Sequence, residues 1–141
     1  MNLTNAIRTA AKAHHGQVDK CGEPYILHPL AVMGMMDTEP ERIIAVLHDV
    51  VEDTWVSLFH LRFELFSDEI VDAVDALTKR TDETNRQYME RVRANAIATK
   101  VKLADMAHNA GRLERLPRAE ERDYLAKKYR EQTAYLLEPK P

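Results

Sequence analysis

The stretch Thr38-Glu39-Pro40-Glu41-Arg42-Ile43-Ile44-Ala45-Val46-Leu47-His48-Asp49-Val50-Val51-Glu52-Asp53 decides how this chain folds. Thr38 and Glu41 have the spacing of a capping box, and Pro40 falls in the first turn, where a missing N–H costs nothing. From Ile43 to Val51 apolar side chains cover almost the whole helical circumference, which predicts a central helix buried on all sides, running to about Asp53. Its C-terminal end breaks the apolar pattern with His48, Asp49, Glu52 and Asp53. In an unbroken helix His48 lies over Glu52 and Asp49 over Asp53 on adjacent faces, so all four border one cavity. Carboxylates crowded together in apolar surroundings repel one another, and a bound cation is the simplest remedy.

Working outward, every neighbouring segment also reads as helix or as a connection between helices. Residues 3–15 put Ile7, Ala10, Ala11 and His14 at helical spacing, and Gly16 ends that helix. Residues 17–29 contain Gly22, Pro24 and Pro29 and predict an ordered loop, followed by a short helix over 30–36. After residues 58–66, a helix begins near Ser67 with Asp68 and Glu69 in its first turn, matching the helix dipole. Residues 78–84 are a polar loop. Residues 85–111 are helical with a point of interruption near Asn95, and 120–137 form the last helix. Sustained period-two alternation is missing, so the fold class is all-α, a compact helical bundle.

The composition agrees. The chain has 141 residues and 45% hydrophobic residues, which suits a single domain over 1–141 with one buried core. Its 20 basic and 23 acidic residues leave a formal net charge of -3, too small to drive attraction to nucleic acid or an anionic membrane. The lone cysteine, Cys21, precludes an internal disulfide and fits a reducing compartment. The polar amino terminus lacks the apolar run of a secretion signal, and nowhere does an apolar run approach the ~20 residues of a membrane span. The expectation is a soluble, cytoplasmic protein. Oligomeric state is open, with a homo-oligomer among the possibilities.

Two further polar groups lie outside the central helix. His28 sits beside Pro29 in Tyr25-Ile26-Leu27-His28-Pro29, and Asp105 closes the apolar run Val101-Lys102-Leu103-Ala104, with His108 and Asn109 one turn on. Taken singly, His28 also reads as a packing residue and Asp105 as a surface carboxylate. With His48 and Asp49 they make two imidazoles and two carboxylates. That mixed set suits Mn, Fe, Co, Zn or Ni better than calcium or a thiolate-bound metal, and open positions on such an ion support hydrolysis.

The ordered set His28, His48-Asp49 and Asp105 resembles the signature of HD-domain phosphohydrolases. The flanking motifs are His15-Gly16-Gln17, Gly22-Glu23-Pro24-Tyr25-Ile26-Leu27-His28-Pro29, Leu47-His48-Asp49-Val50-Val51-Glu52-Asp53-Thr54, Leu77-Thr78-Lys79 and Val101-Lys102-Leu103-Ala104-Asp105 with His108-Asn109. They resemble the hydrolase domain of RelA/SpoT-type enzymes and the stand-alone small alarmone hydrolases, over residues 7–113. The resemblance implies an all-α domain that binds one metal ion, typically manganese, and removes the 3′-pyrophosphate of (p)ppGpp to leave GDP or GTP. Carried over by position, His28, His48, Asp49 and Asp105 are the metal ligands, Glu52 and Asp53 the catalytic pair acting on water, and Lys20 and Asn109 lie along the substrate. Lys79, Lys102 and Arg86 are available to phosphates, although each on its own reads as a solvated surface charge. The chain has no room for the family's synthetase domain, so alarmone synthesis is not expected.

Two departures fall on the recognition shell. Asp19-Lys20 stands where the family has an Arg-Lys pair, and an anionic Asp19 cannot make a cation–π contact with a purine. Met106-Ala107-His108-Asn109-Ala110-Gly111 lacks the family's two arginines, with Arg112 one position away. Hydrolysis of another nucleotide therefore stays open: (p)ppApp, NADPH or a nucleoside 5′-phosphate. A non-catalytic nucleotide-binding helical module is a third reading, against which stands the retention of every ligand and of the Glu-Asp pair.

Overall fold

Helix α3, Glu39–Leu47, buries five consecutive side chains, Ile43 to Leu47, in the computed structural model, which describes residues 1–140. Its start is the predicted capping box: Thr38 accepts the Glu41 N–H, and Glu41 reaches back to the N–H of Thr38. Around it lie α1 (Leu3–Ala13), α2 (Leu27–Gly34), α6 (Asp68–Leu77) and α8 (Ala96–Ala110), all packed directly on α3. Each large aliphatic side chain buried there contributes about 1.5–3 kcal/mol, with Ile44, Leu47 and Val46 fully enclosed.

Short helices α4 (Val50–Asp53) and α5 (Leu58–Phe63) link α3 to α6, and α7 (Asn85–Arg93) leads into α8. Asn95 caps α8 by accepting the Ala98 N–H, which makes the predicted interruption a true boundary between two helices. A 3-10 turn, Leu113–Arg115, leads to α9 (Ala119–Leu137), which lies against α8 and α7. The architecture is all-α, and among the described residues the only β pairing is an isolated bridge between Val18 and Pro24. No helix among them is long and apolar enough to cross a membrane.

Two boundaries differ from expectation, and both shape the site. The central helix stops at Leu47 and resumes at Val50, because the His48 ring takes the Ala45 carbonyl (Nδ1 to O, 2.6 Å) that a continuous helix would offer to Asp49. The α2 helix begins at Leu27 rather than after Pro29. Pro29 occupies the third helical position, where its absent N–H has no intrahelical acceptor to lose.

Candidate metal centre

His28 lies on the first turn of α2, His48 and Asp49 at the break between α3 and α4, and Asp105 inside α8. Packing of these helices on one core brings together side chains from three parts of the chain: His28, His48 and Asp49 lie close enough to share one ion, and Asp105 lies against both imidazoles. His28 Nε2 is 2.7 Å from Asp105 Oδ1 and 3.8 Å from Asp49 Oδ2; His48 Nε2 is 3.1 Å from Asp49 Oδ2 and 3.4 Å from Asp105 Oδ1. His28, His48 and Asp105 are buried, and Asp49 is half-buried.

The donor set fits a divalent ion, and His48 gives the reason. A carbonyl can only accept, so His48 Nδ1 must carry the proton donated to Ala45, and Nε2 of the neutral ring is a bare lone pair. That Nε2 is buried with no aligned hydrogen-bond partner, facing two carboxylates. Electron-rich atoms at such distances repel unless a proton or a cation lies between them. A proton would serve as well: burial alone would push the imidazole down, but the charge of Asp49 and the contacts with Asp105 hold it well above its ordinary value. A bound cation would take the place of that proton.

Groups behind the donors hold them in place. His108 Nδ1 meets His28 Nδ1 at 2.8 Å. The Tyr25 hydroxyl donates to Asp49 Oδ2 at 2.5 Å, and burial beside Asp49 raises the phenol far above its usual range, so it stays a donor. Lys102 Nζ is 3.1 Å from Asp105 Oδ2. Burial would raise the Asp105 carboxyl, but Lys102 and the two imidazoles hold it well below the usual carboxylate range. Lys102 is thus no solvated surface charge. Its i, i+3 spacing from Asp105 on one helix is the signal in the sequence that puts it on the same face. Tyr25 had no comparable signal, since a loop residue's partner is set only by the fold.

Glu52 and Asp53 follow on α4. With Asp49 they offer carboxylate oxygens within 4.8 Å of one another. Glu52 Oε1 accepts the Lys79 N–H at 2.7 Å. Loss of surrounding water, then the charges of Asp49 and Glu52, push the Asp53 carboxyl up to about 6. A cavity of about 340 Å³ opens on the Asp53 side, lined by Tyr25, Asn109, Arg112 and Tyr129 among others. Lys20 also lines it, but its ammonium is tied to Glu121 of α9. Asn109 bridges cavity and centre: its amide donates to Asp105 Oδ1 at 3.2 Å, and its carbonyl accepts from Arg112 at 2.9 Å.

Asp19 faces the same cavity, where two arginines hold it. Arg115 Nη2 is 3.4 Å and Arg112 Nη1 3.6 Å from Asp19 Oδ2, while Oδ1 accepts the N–H groups of Cys21 and Glu23. A second cavity, about 570 Å³, opens on the Glu52 side and contains Lys79, Lys102 and Lys128. Arg86 stays outside it, paired with Glu90 on the surface of α7.

Residues 6–131 match the family described as HD domain. The chain belongs to the HD-domain family. This HD domain is 33% identical over 133 residues to a guanosine-3′,5′-bis(diphosphate) 3′-pyrophosphohydrolase of Borreliella burgdorferi, covering 83% of the chain and 20% of that protein. It is 37% identical over 114 residues to the enzyme of the same name from Haemophilus influenzae, covering 71% and 17%. A GTP pyrophosphokinase of Myxococcus xanthus is 34% identical over 125 residues, covering 76% and 16%. The HD domain thus spans no more than a fifth of the length of these curated relatives. A solved structure described as a metazoan ortholog of SpoT that hydrolyzes ppGpp superposes with a TM-score of 0.78 at 25% identity, covering 93% of this chain and 84% of that one.

Proposed function

We propose that residues 1–141 act as one hydrolase domain that removes the 3′-pyrophosphate of (p)ppGpp, leaving GDP or GTP and inorganic pyrophosphate, in the cytoplasm and with manganese as the working ion. The observation that carries this reading is the buried, unpartnered His48 Nε2 facing Asp49 and Asp105, one short helix away from Glu52 and Asp53. The names of the relatives at 33–37% identity supply the substrate class.

His28, His48, Asp49 and Asp105 would hold the ion. When bound, it supplies charge to offset the phosphate oxygens and to acidify a water. Glu52, anchored by the Lys79 N–H, orients that water, and Asp53 takes its proton. The water oxygen bonds to the phosphorus next to the ribose, the bond from that phosphorus to the 3′-oxygen breaks, and the 3′-oxygen leaves with a proton. The nucleoside and its 5′-phosphates occupy the cavity of Tyr25, Asn109 and Arg112, with Lys20 at its edge. Because Asp19 stands in that cavity, hydrolysis of the adenine analogue (p)ppApp is the second reading.

Turnover of ppGpp and ppApp measured side by side with Mn²⁺, with His48→Ala as the inactive control, tests both. The expected result is GDP and pyrophosphate in equal amounts from ppGpp. Release of orthophosphate, turnover of ppApp alone, or equal activity in His48→Ala would each overturn the primary reading.

A further inference from the structure

Two cavities reach α4 beside the candidate metal centre. Asp53 lines one and Glu52 the other, and the consecutive α9 residues Lys128 and Tyr129 divide between them, with Lys128 on the Glu52 side. Their chemistry differs. On the Asp53 side the cations Lys20, Arg112 and Arg115 are held by Glu121 and Asp19, beside Tyr25, Tyr129 and Asn109, whereas four cations, Lys79, Arg80, Lys102 and Lys128, line the Glu52 side against the single carboxylate of Glu52.

Two of those four charges are already used. Lys102 is paired with Asp105 at 3.1 Å, and Arg80 with Asp75 at 3.2 Å. Lys79 Nζ donates only to the neutral amide oxygen of Asn85, at 2.5 Å, and Lys128 has no carboxylate within ion-pair distance among the described residues. Burial, then the charges of Lys102 and Lys79, hold the Lys128 ammonium below its ordinary value, so these lysines feel one another. Like charges gathered at a half-buried cavity raise the energy of the folded chain unless an anion joins them.

We propose that this lysine cavity is the subsite for the distal phosphate of a 3′-pyrophosphoryl group, and that Lys79 and Lys128 select pyrophosphoryl over phosphoryl substrates. A 3′-diphosphate reaches across the centre. Its inner phosphorus lies among the metal-binding side chains and its outer phosphate beyond Glu52, while the nucleoside stays on the Asp53 side. A 3′-monophosphate leaves the lysines unpaired. The proposal rests on the hydrolase reading for the identity of the group, whereas binding of the diphosphate anion follows from the cavity itself.

The test therefore has two arms. In the first, inorganic pyrophosphate and orthophosphate are titrated separately into the full chain, wild type, Lys128→Gln and Lys128→Arg, by calorimetry without nucleotide. One charge-assisted contact is equivalent to roughly 10-fold in affinity, so wild type should bind pyrophosphate about 10-fold tighter than orthophosphate. Lys128→Gln should lose that preference, and Lys128→Arg should keep most of it. In the second arm, the ratio of kcat/KM for a guanosine 3′-diphosphate to that for the matching 3′-monophosphate should fall about 10-fold in Lys128→Gln. Unchanged pyrophosphate affinity in Lys128→Gln, with circular dichroism showing an intact fold, overturns the subsite. Lys128-dependent pyrophosphate binding in a chain that hydrolyses neither nucleotide upholds the subsite and sinks only the hydrolase reading.

Discussion

His108 Nδ1 lies 2.8 Å from His28 Nδ1, with the two rings stacked 5.0 Å apart, so His108 stands behind the first imidazole and not in front of it. A hydrogen bond on that edge fixes which nitrogen of His28 keeps its proton and turns Nε2 toward Asp105 and the centre. Burial, then the charges of Arg112 and His28, hold the His108 imidazole below its ordinary value, which suits a neutral acceptor.

Removing that support should loosen the ion without unfolding the bundle. His108→Phe keeps the ring and loses the acceptor, and its Mn²⁺ affinity should fall by about 10- to 100-fold, read by calorimetric titration. Affinity equal to wild type would show that His28 is oriented by packing alone.

Asp19 limits the positive charge of the cavity it lines, because its carboxylate offsets part of the charge of Arg112 and Arg115. Burial would raise its carboxyl, but the N–H groups of Cys21 and Glu23 and the two arginines hold it low, so it is anionic at neutral pH. Asp19→Asn retains an acceptor for the loop N–H groups and removes the charge. The KM for a phosphorylated nucleotide should then fall by roughly 3- to 10-fold, with kcat little changed and the gain shrinking in high salt. A rise in KM would mean that Asp19 positions the arginines and does not merely offset them.

The Arg91–Glu83 pair makes stability depend on pH far from the centre. Arg91 Nε is 2.6 Å from Glu83 Oε2, and the same guanidinium donates to the carbonyls of Asp75 and Thr78, tying the loop before α7 to the end of α6. The hydrogen bonds from Arg91 bring the Glu83 carboxyl down to about 2. A group whose folded-state value is depressed stabilises the fold fully above its unfolded value, near 4.3, and loses that contribution as pH falls toward 2. Thermal melts of wild type and Glu83→Gln should differ by a few degrees at pH 6, and the gap should narrow as pH drops from about 4 toward 2. A gap that persists unchanged at pH 3 would contradict the assignment.

Much of this was legible in the sequence wherever local rules and final structure agree. The Thr38–Glu41 box, the Asn95 boundary and the all-round apolar face of α3 follow from side chains within one turn of each other. The break at His48 was not legible, since helix propensity favours continuity. It depends on an imidazole taking a backbone carbonyl, which periodicity does not encode. Pro29 reads as a breaker by residue type alone, because the sequence does not fix its place relative to the helix start. His28, His48, Asp49 and Asp105 could be picked out by type and motif. Tyr25 against Asp49, Asp19 between two arginines and Lys128 across from Glu52 exist only after helices far apart in the chain have packed.

The central claim is that four side chains from three parts of the chain hold one divalent ion. Calorimetric titration of the purified protein with Mn²⁺, alongside His48→Ala at matched helical content, tests it most directly. The expected result is one site per chain in wild type and no measurable site in His48→Ala. A well-folded wild type that takes up no metal, or a His48→Ala variant that binds it equally well, would contradict the account.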